Sequence, residues 1–253
     1  MKRAHAVIRS LILWSISWLH FVIGVPLILF LGAVFGQRRT DRLLCVLSRN
    51  VHFLAGVRVE VNKAPGFDPT RTSLLVSNHV NVFDPFVLYS SVPVFFRGLE
   101  LESHFRVPFY GWLMRRFGNV PVSENRTASA VKRTFRLTKK ALDDGISLLV
   151  FPEGSRTLDG RVGPFSDGAF VMARQFGYPI VPISITGSFE FKHKGDWMLR
   201  PSRVVVYIHD TIETAGLTKR DVPALRDRVR AIVARPVDAY YDRRAARSVA
   251  QPV

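Results

Sequence analysis

Cysteine is nearly absent: the 253-residue chain holds one, Cys45. That excludes an internal disulfide framework and a Cys-rich metal site, and it fits a reducing cytosol. Acidic residues are scarce beside basic ones, 20 against 36, for a formal net charge of +16. Such an excess seeks anions: nucleic acid, anionic lipid headgroups or phosphorylated small molecules. Composition does not choose among them. No Gly-x-Ser-x-Gly turn occurs, so the nucleophile elbow of a serine hydrolase is missing. His52, His79, His104, His193 and His209 are scattered, whereas zinc hydrolysis usually sets its histidines at helical spacing. Internal repeats and low-complexity tracts are lacking too.

What remains is ample for a core. Hydrophobic residues make up 47% and charged residues 22%, which suits one α/β domain of ordinary size with a modest appendage. The appendage is N-terminal. From Leu11 to Gly36 no residue carries a formal charge, a run long enough to reach across a ~30 Å hydrocarbon core as a helix. Gly24 and Pro26 lie near its middle. Proline removes a helical hydrogen bond, so a kink or break is expected there, with a re-entrant hairpin as the result and a single span as its rival. Lys2, Arg3 and Arg9 before the run and Arg38, Arg39 and Arg42 after it favour both ends on one face, the cytoplasmic one. The run exceeds a usual signal peptide core and lacks the polar stripe of a surface helix. It is expected to anchor the chain in a membrane.

Residues 40–55 read as an amphipathic helix, so 1–55 form the anchor region. Residues 56–243 read as strands alternating with helices, an α/β sheet with helices around it. Strands are expected at 57–61, 73–77, 92–96, 146–151, 179–186 and 203–208. Helices are expected near 108–117, 127–143, 165–176 and within 217–241. The tail from 244 to 253 is expected to be disordered.

Two polar segments follow apolar strands. His79 ends the strand Ser73–Ser77 region and Asp84 follows five residues later. An imidazole, titrating near ~6.5 when unperturbed, accepts a proton near neutrality, and a nearby carboxylate fixes its tautomer. Phe151-Pro152-Glu153-Gly154-Ser155-Arg156-Thr157 follows the second strand. Its glycine lets backbone approach a ligand, and its arginine offers a planar fork for phosphate. Alone, each segment reads equally as a hydrogen-bonded loop; together they suggest one shared site at the strand ends.

Asn78-His79-Val80-Asn81-Val82-Phe83-Asp84 resembles the His-x4-Asp signature of the glycerolipid acyltransferase family. Phe151 to Thr157 resembles its Phe-Pro-Glu-Gly-Thr-Arg block. Val107 to Trp112, Gly118 to Val122 and Val181-Pro182-Ile183 resemble its remaining segments, in the family's order. Within the family the chain looks most like the bacterial 1-acylglycerol-3-phosphate acyltransferases. The resemblance implies a single mixed sheet flanked by helices, with a membrane-embedded helical anchor. It implies transfer of a fatty acyl group from acyl-CoA or acyl carrier protein to the free hydroxyl of a lysophospholipid, giving phosphatidic acid. His79 would be the base and Asp84 its orienter; Glu153, Gly154, Arg156 and Arg126 would bind the acceptor. No metal or redox cofactor is implied, because ester formation from a thioester needs none. A bacterial inner membrane, with the catalytic domain on its cytoplasmic side, is the implied location, and nucleic acid is not a partner. Ser166 and Asp167 stand where the family often carries a lysine, and Arg126 matches loosely. Another acceptor, such as a lyso-aminolipid, therefore stays open, as does a non-enzymatic lipid-binding protein.

Overall fold

The computed structural model describes residues 2–108, 110–125 and 127–250. Seven strands, β1 (Val57–Lys63), β2 (Leu74–Ser77), β3 (Phe96–Leu101), β4 (Val120–Val122), β5 (Ser147–Val150), β6 (Ile180–Thr186) and β7 (Ser202–Ile208), form one sheet in the order β1-β7-β6-β2-β5-β3-β4. All neighbours are parallel except β6 and β7, so the sheet is mixed. The central strands β2 and β6 are buried along their whole length, as expected of parallel strands covered on both faces.

Two apolar layers cover the sheet. Leu74 and Val76 point to one, with Leu148, Phe170, Val229 and Val233. Leu75 points to the other, with Phe83, Leu88, Leu149 and Val204. That alternation is the strand period of two. The first layer is supplied by α5 (Ala128–Asp143), α6 (Gly168–Phe176) and α8 (Val222–Ala250). The second is supplied by α2 (Gln37–Leu54) and α3 (Asp84–Ser91). Short α4 (Tyr110–Arg116) and α7 (Ser188–Phe191) complete the helices. The strand expected at 92–96 begins only at Phe96, and α3 was not read from the sequence. The helix α8 runs on to Ala250, so residues 244–250 are helical where a disordered tail was expected; residues 251–253 lie outside the described residues.

The N-terminal run departs most from expectation. Helix α1 (Lys2–Phe35) passes through Gly24 and Pro26 without a break. The chain turns instead at Gly36, whose φ of +83° is left-handed, and α2 folds back along α1. Gly24 has a packing role: a Cβ there would collide with the side chain of Leu47 on α2. The hairpin therefore pairs the apolar helix with the amphipathic one, not two halves of the apolar run. Helix α1 lies along the domain. The hydroxyl of Ser10 bonds Leu199, Trp14 Nε1 donates to the Trp197 carbonyl at 2.7 Å, and Ile28 and Leu29 pack with Leu47, Leu113 and Phe117. Its other face, including Leu11, Trp18, Ile23 and Phe30, is uncovered. On α2, Asp41 accepts from the fully buried guanidinium of Arg97 at 2.9 Å, fastening the hairpin to β3.

Removal of residues 1–36 would strip cover from Leu47, Leu113, Phe117 and Phe83. The truncated chain is expected to aggregate in detergent-free buffer; a monodisperse, folded peak on size exclusion would show that α1 covers nothing the domain needs. A second expectation concerns His52, buried on α2 and bonded to Ser90 at 2.8 Å. Burial pushes its imidazole down to about 4. The unfolded chain, with an ordinary imidazole near ~6.5, then binds a proton that the native state refuses. Stability from this group is complete above that value and is lost as pH falls toward about 4, by up to about 3 kcal/mol. Urea titrations of wild type and His52→Leu at pH 7 and pH 5 check this: the variant is expected to show the shallower pH slope.

Candidate active site

Strands β6, β2 and β5 are neighbours and run parallel, so their C-terminal ends open at one end of the sheet about 5 Å apart. Each end leads into a polar segment: residues 78–84 after β2, 151–167 after β5, and Gly187 and Ser188 after β6. Asn78 extends the pairing of β2 past its end, its side-chain amide exchanging hydrogen bonds with the backbone of Ile185 on β6 at 3.0 and 2.8 Å. His79 emerges immediately beyond.

Asp84 opens α3 and is fully buried. Pro85 follows at a helical position where no N–H is needed. The Asp84 Oδ2 atom accepts from the backbone N–H groups of Val80 at 2.5 Å and Asn81 at 2.8 Å. It also lies 2.9 Å from His79 Nδ1. The remaining contact is at Oδ1, 2.8 Å from the Ser188 hydroxyl. A carboxylate surrounded by donors accepts from Nδ1–H, which leaves the lone pair on Nε2. The His79 side chain is 21% exposed, so that nitrogen can meet a ligand. Its ring stacks on Phe151, centroids 4.1 Å apart and planes 16° apart.

The segment after β5 grips the backbone of His79 from both sides. Glu153 Oε1 accepts from the His79 N–H at 2.9 Å, and the Thr157 N–H donates to the His79 carbonyl at 3.0 Å. Glu153 Oε2 accepts from the Gly163 N–H at 2.9 Å. Both carboxylate oxygens are thus engaged within the protein. Burial pushes the Glu153 carboxyl up, while the His79 and Gly163 amides pull the other way. Gly154 has a φ of +70° in the turn, with open space where a Cβ would stand, so backbone is accessible there. Arg156 is half-buried, and its guanidinium makes no ion pair among the described residues. Two more cations lie close. The Lys194 ammonium donates to the Arg156 carbonyl at 3.2 Å. Lys192 is buried and donates to the Asp196 carbonyl at 2.6 Å; burial, then the charge of Arg156, pushes its ammonium down.

Of the sequence-predicted residues, His79, Asp84, Glu153, Gly154 and Arg156 come together at these strand ends. Arg126 lies outside the described residues. Among the described residues, no group of three His, Cys, Asp or Glu side chains is arranged to hold a metal ion. A cavity of about 580 Å³ lies elsewhere, beside β4 and α5, with Phe105, Arg115, Arg133 and Leu137 in its wall.

A family model described as Acyltransferase matches residues 58–186. The 1-acyl-sn-glycerol-3-phosphate acyltransferase alpha of Homo sapiens is 31% identical over 219 residues, covering 85% of this chain and 75% of that protein. The 1-acyl-sn-glycerol-3-phosphate acyltransferase of Pseudomonas aeruginosa is 27% identical, covering 71% of this chain and 69% of that protein. The chain belongs to the acyltransferase family. The crystal structure of the 1-acyl-sn-glycerophosphate acyltransferase of Thermotoga maritima shares the fold, with a TM-score of 0.81 at 22% identity, covering 94% of this chain and 97% of that one.

Three parts of this acyltransferase's site escaped the sequence reading. Phe151 was read as the end of a strand and the start of the second block, with no role of its own, and is the platform for the His79 ring. Asn81 sits inside the signature; its Oδ1 accepts from the Phe83 N–H at 2.7 Å, the local turn that asparagine favours. Ser188 had no signal, since only the sheet order brings β6 beside β2. For Glu153 the geometry separates two roles. Glu153→Gln keeps the size but sets an amide NH₂ against a backbone N–H. If the carboxylate positions His79, steady-state kinetics are expected to show kcat lowered at least tenfold with the acceptor KM little changed. A raised KM at normal kcat would mark Glu153 as an acceptor contact instead.

Proposed function

We propose that this acyltransferase moves a fatty acyl group from a thioester donor to the free hydroxyl of a lysophospholipid. The acceptor we assign is 1-acyl-sn-glycerol-3-phosphate, with phosphatidic acid as product. The observation that carries the reading is the buried Asp84 carboxylate against His79 Nδ1, with the imidazole side chain partly exposed. Names of the human and Pseudomonas relatives support the acceptor.

His79 Nε2 removes the proton from the acceptor hydroxyl as the oxygen attacks the thioester carbonyl. The tetrahedral intermediate collapses, the C–S bond breaks, and the thiolate leaves with the proton returned from the imidazolium. Asp84 holds the ring and stabilises its positive form during that interval. Arg156, with Lys194 nearby, gives a cationic surface for the acceptor phosphate. Gly154 lets that headgroup approach the backbone. Acyl-CoA and acyl carrier protein are the two donor classes, and the chemistry is the same with either.

The site belongs at a membrane surface, the cytoplasmic face of a bacterial inner membrane in this reading. Helix α1 has 34 residues, about 50 Å of helix, and its Ala4–Phe35 stretch is long and apolar enough to cross a membrane. Its contacts at Ser10, Trp14, Ile28 and Leu29 run along the domain, which fastens the apolar helix to the domain instead of leaving it to project as a free span. Trp14 also meets Phe83 of the His-Asp segment, ring centroids 5.6 Å apart. Acceptor and product lipid would then enter and leave within one leaflet.

The test is acyl transfer by purified protein in detergent, with labelled acyl-CoA and acyl carrier protein donors and a panel of lysolipids, run beside His79→Ala. Lysophosphatidic acid is expected to be acylated, with turnover in the variant lower by about 10²–10⁴-fold. Product with another lysolipid alone would move the acceptor and keep the mechanism. Undiminished turnover in His79→Ala would remove His79 as the base.

A further inference from the structure

Asp84 has two carboxylate oxygens, and only Oδ2 faces the imidazole. The other, Oδ1, rests against the Ser188 hydroxyl at 2.8 Å. Ser188 is 1% exposed and begins α7 directly after β6. Gly187 before it has a φ of +79°, and a Cβ there would run into the Arg203 carbonyl. The turn is thus tightly fixed against β7. The Asn81 side-chain amide donates both to the Ser188 carbonyl at 2.6 Å and to the Ser188 hydroxyl at 2.8 Å. Asn81 Oδ1 accepts from the Phe83 N–H, so its nitrogen faces Ser188. With an amide donating to it, the hydroxyl accepts there, and its one O–H is left for Asp84.

We propose that Ser188 is a positioning residue of the acyl-transfer site: its hydroxyl holds the second oxygen of Asp84 so that the first stays aligned with His79 Nδ1. The inference rests on the reading of His79 as the base. The Val80 and Asn81 amides both bind Oδ2, so they fix one point of the carboxylate and leave the group free to swing about it. The terminal torsion of aspartate is broad and offers little resistance. Ser188 supplies the second point. It also joins β6 to the catalytic segment of β2, because Asn81 grips the same residue twice.

Residues that hold a reacting histidine's partner typically matter by ~10–100-fold where they have been removed in metal sites, and a similar scale is expected here. Ser188→Ala is expected to lower kcat about tenfold at unchanged KM for both substrates, and to lower the melting temperature as well, because Asp84 Oδ1 is left buried without its donor. Ser188→Thr, which keeps a hydroxyl, is expected to recover most of the loss. Placed on His79→Ala, Ser188→Ala is expected to add nothing to the residual rate, because its effect runs through the imidazole. If Ser188→Ala does not fold, Ser188→Cys, with a weak donor of similar size, is judged by the same criteria. A folded Ser188→Ala with wild-type kcat overturns the inference, as does an equal loss in the His79→Ala background or a threonine variant no better than alanine. An inactive wild type removes the reading of His79 itself, and this inference with it; an active wild type matched by Ser188→Ala removes Ser188 alone.

Discussion

The Asp84 carboxyl has no exposure and receives hydrogen bonds from the Val80 and Asn81 amides, the Ser188 hydroxyl and the His79 ring. Burying a carboxylate without such donors costs several kcal/mol. The chain from 79 to 84 must therefore adopt the turn that aims two successive N–H groups at one oxygen. That turn is what lifts His79 off the end of β2 and starts α3 at Asp84. Alignment of the imidazole is thus a by-product of satisfying a buried charge. The helix start adds to it, since a carboxylate is favoured at a helix N-terminus.

The same constraint explains why three strands are needed. A loop from β2 alone could hold Asp84 Oδ2 but not the His79 backbone or Asp84 Oδ1. The segment after β5 supplies Glu153 and Thr157 to the His79 N–H and carbonyl. The turn after β6 supplies Ser188. With β6, β2 and β5 adjacent and parallel, each contribution comes from one strand spacing away. A wider strand order would leave Glu153 unable to reach. Its burial, which pushes its carboxyl up, is tolerable because two backbone amides meet it.

The sequence carried much of this, for identifiable reasons. Strand β6 and the alternating β1 were legible from apolar runs and period two, and α2 from its amphipathic spacing. His79, Asp84, Glu153, Gly154 and Arg156 were legible because they lie in two short blocks. What was not legible depends on contacts distant in sequence. Ser188 is 104 residues from Asp84, and no local pattern predicts that pairing. Helix α3 was hidden because its eight residues are too few to show a period. The contacts of the Glu153 oxygens with the amides of His79 and Gly163 were not legible either, since nothing local places those residues against it.

The anchor shows a different failure of local reasoning. Pro26 and Gly24 carry strong helix-breaking propensities, up to about 3 kcal/mol for proline in a helix interior. Yet α1 is continuous. Propensities describe an isolated helix, and α1 is not isolated. Gly24 admits Leu47 of α2 to close contact, so the absent side chain helps the helix pair where it would weaken a lone helix. Proline's missing N–H removes one hydrogen bond, while Ile28 and Leu29 just beyond it are buried on the next turn against Leu47, Leu113 and Phe117. Packing on both sides of Pro26 holds the helix across it. The break moves to Gly36, where a left-handed residue costs little and no neighbour crowds it. Continuity has a consequence for the site: Trp14, packed on Phe83, and Ile28 and Leu29, packed under α4, belong to one rigid element. A lipid-embedded helix fastened to the domain in that way would set the depth of the His-Asp segment, as a broken helix could not.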